Sequence, residues 1–90
     1  MIDMWYLYVV ECNDGTFYTG ITTDIKRRLY EHNNTKRGAK YTRRKRPVKL
    51  ICILETFETR SLATKREYAF KRLSRKQKEA EIRNRNASKV

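Results

Sequence analysis

The stretch MWYLYVVECNDGTFYTG, residues 4–20, decides the fold, because its turn sets which side chains share a face. Aromatic and β-branched residues run as far as Cys12, Asn13-Asp14-Gly15 interrupts them, and the same composition resumes at Thr16, which predicts a β-hairpin. Two turn registers are open: a two-residue Asp14-Gly15 loop, or a three-residue loop with Gly15 in the left-handed conformation. The first places Glu11 opposite Tyr18 and turns Tyr8 to the other face. The second pairs Cys12 with Thr16, Val10 with Tyr18 and Tyr8 with Gly20. It then gathers Tyr6, Tyr8, Val10 and Tyr18 on one face and Trp5, Leu7, Val9 and Phe17 on the other. We adopt the second register, which separates an apolar face fit for a core from a tyrosine face whose phenols are free for partners.

Downstream, Asp24 is placed to cap a helix over residues 24–33, ending near Asn33-Asn34. Helical spacing puts Ile25, Arg28, Leu29 and His32 on one stripe, so an arginine and a histidine face inward with two aliphatics. Lys36 to Arg46 carries seven cations and no acid, and Gly38 and Pro47 mark it as a loop. VKLICIL, residues 48–54, reads as a third strand apolar enough to lie centrally. Thr59 or Ser61 can cap a second helix to about Leu73, with Leu62, Arg66, Ala69, Phe70 and Leu73 along one side and Glu67 at its edge. Ser74 and Gln77 have capping-box spacing, which predicts a short third helix fraying into residues 83–90. The expected organisation is one domain over residues 1–83 and a basic tail over 84–90.

Composition narrows the function. The chain has 90 residues, with 22 Lys plus Arg against 10 Asp plus Glu and a net charge of +12. A field of that sign draws polyanions, nucleic acid first among them. A membrane surface is the competing polyanion, but no helix pairs a basic face with a bulky apolar one, and the start lacks a basic region followed by an apolar run. A cytoplasmic location is expected. Cys12 and Cys52 lie in apolar stretches and are expected as buried thiols. With one histidine beside them, a zinc site is not expected.

The order Tyr6-Leu7-Tyr8, Tyr18-Thr19-Gly20, Arg28, His32 and a later helical Glu67 resembles the GIY-YIG nuclease domain, over about Tyr6 to Leu73. The triplets are degenerate, since Tyr6-Leu7 stands for Gly-Ile and Thr19 for Ile. The spacings carry the likeness: nine residues between Tyr8 and Tyr18, eight steps from Gly20 to Arg28, and one helical turn from Arg28 to His32. The resemblance, closest to small stand-alone members, implies an α+β fold with a small three-stranded antiparallel sheet flanked by helices. It also implies phosphodiester hydrolysis with one divalent ion, Mg²⁺ or Mn²⁺, per site. Tyr8, Tyr18, Arg28, His32 and Glu67 match its catalytic residues, with Glu67 as metal ligand. Some relatives add an asparagine after the glutamate, and none lies between Lys71 and Glu81.

Each residue has a chemical role and a bland alternative. A single carboxylate at Glu67 suffices for Mg²⁺, which keeps most of its waters and takes further contacts from phosphate; otherwise Glu67 is a surface ion-pair partner. Arg28 offers a planar fork to phosphate oxygens, or snorkels along Ile25 to solvent. Tyr18 is the expected general base, but a free phenol near pKa ~10 needs help at neutral pH, from neighbouring cations or from a relay through His32. Tyr8 would orient the water or the phosphate, and both tyrosines could equally be ordinary sheet packing. Lys36, Arg37, Lys40, Tyr41, Arg43, Arg44, Lys45 and Arg46 would grip the nucleic-acid backbone, DNA in preference to RNA, with the protein as a monomer. Tyr41 either stacks on an exposed base or packs within its own loop. Three functions fit: an endonuclease on structured, damaged or single-stranded DNA in repair or recombination, a non-catalytic DNA- or RNA-binding module, and, last, a domain directed at an acidic protein.

Overall fold

The computed structural model describes residues 3–87. The chain runs β1 (Trp5–Glu11), β2 (Phe17–Thr22), α1 (Ile25–Asn34), α2 (Lys40–Arg43), β3 (Lys49–Phe57), α3 (Arg60–Lys71) and α4 (Arg75–Ala87). The three strands form one antiparallel sheet in the order β2-β1-β3, the α+β architecture expected.

The hairpin adopts the three-residue register: Val10 faces Tyr18, Tyr8 faces Gly20, and the Cys12 amide donates to Thr16 O at 2.8 Å. Gly15 has φ +85°, the left-handed conformation that this turn asks of its third residue and that glycine takes without a Cβ penalty. Asp14 braces the turn, accepting from the Thr16 hydroxyl and amide. Those bonds, with the nearby Lys45 ammonium, hold its carboxyl down to about 2.

The two faces of the hairpin separate as the sequence predicts, and helices cover both. Tyr8, Val10, Cys12 and Val48 pack with Tyr18, Ile25 and Leu29 under α1, while Val9, Cys52, Phe70 and Ile82 pack with Phe17, Ile51, Leu54 and Leu73 under α3 and α4. The tyrosine face is therefore core as well: Tyr8 is only 3% exposed, so its phenol is not free for partners as expected. β1 is the central strand, with Leu7 to Val10 buried throughout. β3, expected to be central, lies at an edge, where exposed Lys49, Glu55 and Thr56 suit a strand that must not pair further. The sequence VKLICIL concealed this because Glu55 and Thr56 fall outside the run and Lys49 is its one charge.

The helix caps follow their sequence signals. The Asp24 carboxylate accepts from the Arg27 amide at 3.0 Å, Thr59 Oγ1 from Leu62 at 3.2 Å, and Ser74 and Gln77 satisfy each other's amides. Two expectations fail. Leu62 is 50% exposed, and the buried side of α3 is carried by Ala63 and Phe70. α4 remains helical to Ala87 instead of fraying from residue 83, and residues 88–90 of the expected tail lie outside the described residues. Cys12 and Cys52 are both buried, as expected.

Gly20 shows why the second triplet ends in glycine. A Cβ built there would fall 2.5 Å from Tyr8 Oη and 2.8 Å from its Cζ, because the Tyr8 ring lies across the Gly20 backbone. We expect Gly20→Ala to destabilise the fold by about 1–3 kcal/mol, the usual cost of overpacking a core, lowering Tm by roughly 4–8 °C for each kcal/mol. A thermal melt that matches wild type would show that the ring is not fixed over Gly20.

Candidate active site

β2 delivers the chain into α1 through a local knot of hydrogen bonds, in which the Thr22 hydroxyl accepts from the Asp24 amide at 3.1 Å before Asp24 caps the helix. That start places Arg28 half-buried and His32 fully buried against the sheet. The His32 ring lies edge-on to both tyrosines, with centroids 6.0 Å from Tyr8 and 5.3 Å from Tyr18.

Hydrogen-bond accounting assigns the imidazole tautomer. The Thr42 hydroxyl donates to Ala39 O at 2.9 Å, and a hydroxyl has one proton to give. Thr42 Oγ1 therefore accepts from His32 Nδ1, 3.0 Å away, and Nε2 is left to accept the Tyr8 hydroxyl at 2.8 Å. The opposite tautomer would rely on the Ala39 amide at 3.4 Å, the longest of these contacts. A buried line thus runs from Tyr8 through His32 and Thr42 to a backbone carbonyl. No buried side-chain polar atom among the described residues lacks a partner.

Burial, then the Arg28 and Arg46 guanidiniums, hold the His32 imidazole down to about 4, with Glu31 opposing. It is neutral at physiological pH. Burial likewise pushes the Tyr8 phenol up to about 12; Arg28 beside it opposes the rise, and Tyr18 and Glu67 add to it. Tyr8 therefore keeps its proton and donates it to His32. The relay expected between His32 and Tyr18 has no hydrogen bond to run through here, since both imidazole nitrogens are engaged by Tyr8 and Thr42.

Arg28 does not simply snorkel. Its Nη1 donates to Glu31 Oε1 at 3.1 Å and to Arg37 O at 2.8 Å. Burial would lower its pKa, but Glu31 and the phenols of Tyr8 and Tyr18 outweigh that and raise it. Glu67 arrives from α3. Its Oε2 lies 3.3 Å from Lys71 Nζ, and that ammonium is 5.4 Å from the centroid of the Tyr18 ring. Glu67 is also close enough for its charge to act on Tyr8. Tyr8, Tyr18, Arg28 and His32 are thus in direct contact or adjacent, and Glu67 joins them through Lys71.

The basic segment is docked rather than trailing. The Asn13 amide donates to Lys45 O at 2.9 Å, Lys45 Nζ lies 3.2 Å from Asp14 Oδ2, and the Tyr41 ring stacks on Tyr18 at 5.9 Å and 26°. Lys45 sits 3.9 Å from the Tyr41 ring centroid, and Thr16 and Lys45 draw the Tyr41 phenol below its ordinary pKa. Tyr41 thus packs within the molecule. The Arg46 guanidinium donates to the carbonyls of His32 and Thr35, closing the C-terminal end of α1. Lys36, Arg37, Lys40, Arg43 and Arg44 are exposed to solvent. The sequence reading missed Thr42, Glu31 and Lys71. Glu31 was findable as the i+3 partner of Arg28 and Lys71 as the i+4 partner of Glu67. Thr42 had no signal, because its contact depends on how the basic segment folds back.

No group of three or more His, Cys, Asp or Glu residues that could hold a metal occurs among the described residues. Glu67 nonetheless suits a hard divalent ion that takes one carboxylate and completes its shell with water and phosphate, and it already holds a cation in Lys71.

Compared with known proteins, residues 4–80 match the GIY-YIG catalytic domain. The chain belongs to the GIY-YIG family. This is a nuclease family, and its match covers every proposed site residue. A UPF0213 protein of Desulfotalea psychrophila is 59% identical over 70 residues, spanning 78% of this chain and 63% of that protein. One from Halobacterium salinarum is 56% identical over 77 residues, spanning 86% and 97%. The solution NMR structure of a protein from E. faecalis has a TM-score of 0.62 at 55% identity, covering 90% of this chain and 84% of that one. The family's fold is the one described above. No helix among the described residues is long and apolar enough to cross a membrane.

His32 provides a direct check on this geometry. As the single histidine, it should show flat imidazole proton shifts in NMR from pH 8 to 5, whereas a midpoint near 6.5 would place the ring in water. The unfolded chain takes up a proton near 6.5 and the folded chain only near 4. The stabilisation is therefore complete above 6.5 and is lost as pH falls towards 4, amounting to about 3 kcal/mol over that window.

Proposed function

We propose that this chain hydrolyses phosphodiester bonds in DNA, in preference to RNA, with one Mg²⁺ or Mn²⁺ ion held by Glu67. The observation that carries this reading is a convergence of side chains: Tyr8 and Tyr18 both meet His32, Arg28 from α1 lines the same hollow as Tyr8, and Glu67 from α3 reaches Tyr18 through Lys71.

The chemistry divides among them. The remaining guanidinium N–H groups of Arg28 face the phosphate and stabilise charge that grows on it, in a half-buried setting where such a donor counts for more than in water. Tyr18, half-exposed beside Lys71, takes the proton of the attacking water. Tyr8 gives its proton to His32 and turns its lone pairs to Arg28, so it orients that guanidinium and is not itself a base. A divalent ion held by Glu67 would supply a water of lowered pKa and polarise the phosphate. The exposed cations Lys36, Arg37, Lys40, Arg43 and Arg44 hold the backbone without reading sequence, which suits structured, damaged or single-stranded DNA in repair or recombination.

A second reading, a binding module of the same fold, draws on the ion pairs Arg28–Glu31 and Glu67–Lys71, which leave both principal groups already partnered. An assay on branched, single-stranded and supercoiled DNA with Mg²⁺ or Mn²⁺ separates the two. We expect cleavage by wild type, a loss on the order of 10²-fold or more in Arg28→Ala, and lost cleavage with retained binding in Glu67→Ala. Wild type that binds but never cuts would favour the module.

A further inference from the structure

The open edge of β2 borders a cavity of about 300 Å³ lined by Phe17, Tyr18, Thr19, Tyr41, Lys71 and Lys78. It begins at two groups of the proposed site, Tyr18 and the Lys71 that bridges to Glu67, and extends to Lys78 on α4. No acid lines it. The acids near its rim are each paired: Glu67 with Lys71, Glu79 with Arg75 and Asp14 with Lys45. Its aromatic walls are braced from outside, Arg75 lying 3.7 Å from the Phe17 ring centroid while donating to Gly15 O, and Lys45 lying over Tyr41. The Cys12–Thr16 bond fixes the alternation of the antiparallel ladder, which turns the backbone of Tyr18 towards β1 and the amides of Phe17 and Thr19 towards the open edge.

We propose that this hollow is the track for one extended polynucleotide strand leaving the scissile position, with Lys71 and Lys78 on its phosphates. This rests on the nucleic-acid reading above but deepens it, since Tyr41 alone of the basic segment 36–46 lines this hollow and its cations come from α3 and α4. The charge is complementary to phosphate, and the space suits a single nucleotide unit rather than a duplex. Contacts made by lysines and backbone amides carry no sequence information, so the track is sequence-tolerant.

The test is fluorescence anisotropy with a labelled oligothymidylate in EDTA, over a series of salt concentrations. Lys78→Ala should weaken binding and flatten the slope of log affinity against log salt by about 0.7, the value for one phosphate contact on a single strand. Lys49→Ala on the opposite edge strand removes the same charge and should leave the slope unchanged. Lys78→Gln, with melting curves for all variants, separates lost contact from lost fold. Amide shifts of Thr19, Tyr41 and Lys71 on adding the oligonucleotide to wild type require no substitution at all. Equal losses in Lys78→Ala and Lys49→Ala, no shifts at those amides, or equally tight binding of a duplex or of polyglutamate would overturn the proposal. Cleavage with no Lys78 dependence of binding sinks the track alone, whereas Lys78-dependent binding without cleavage sinks the catalytic reading alone.

Discussion

The hydrogen bond between the Tyr8 hydroxyl and His32 Nε2 joins the central strand to the helix that crosses it, and both partners are almost wholly removed from water. A polar contact in such a place is strong when every member is satisfied and costly when one is not. Its consequences spread outward. The fixed ring of Tyr8 requires glycine at residue 20, and the other imidazole nitrogen requires an acceptor at Thr42. Thr42 in turn draws residues 39–46 onto the sheet, where Arg46 and Lys45 close the end of α1 and the hairpin turn. One buried line thereby positions a strand, a helix and a basic segment around the same phenol.

Charge is arranged around this line in pairs. Arg28 is tethered by Glu31 and Glu67 by Lys71, so neither group sits as a bare charge against a low-dielectric core. Pairing of this kind keeps each group oriented before substrate arrives.

Much of the fold was legible because local signals agreed with one another. Asn13-Asp14-Gly15 marked the turn, Asp24 and Ser74 marked two helix starts, Thr59 was one of two candidates for a third, and the hairpin register followed from the separation of two faces. What the sequence hid was the number of layers. A face bearing Tyr8 and Tyr18 looks wet by composition, yet α1 covers it. An apolar run such as VKLICIL looks central, yet its strand lies at an edge, with Lys49, Glu55 and Thr56 exposed. The same limit applied to the site. Tyr8, Tyr18, Arg28, His32 and Glu67 were visible through spacing, because each sits on a regular element. Thr42 and the docked state of Tyr41, Lys45 and Arg46 depend on long-range contacts of a segment whose one helix, α2, is a single turn, too short to give a periodic signal.

The direction of the protons along this line is its most consequential detail, since it decides whether Tyr8 gives or receives. Nitrogen-15 NMR of the His32 imidazole at pH 7 reads it directly. A protonated Nδ1 with an unprotonated Nε2 is the result this account predicts. A proton on Nε2, or on both nitrogens, would contradict it and leave Tyr8 free to donate elsewhere.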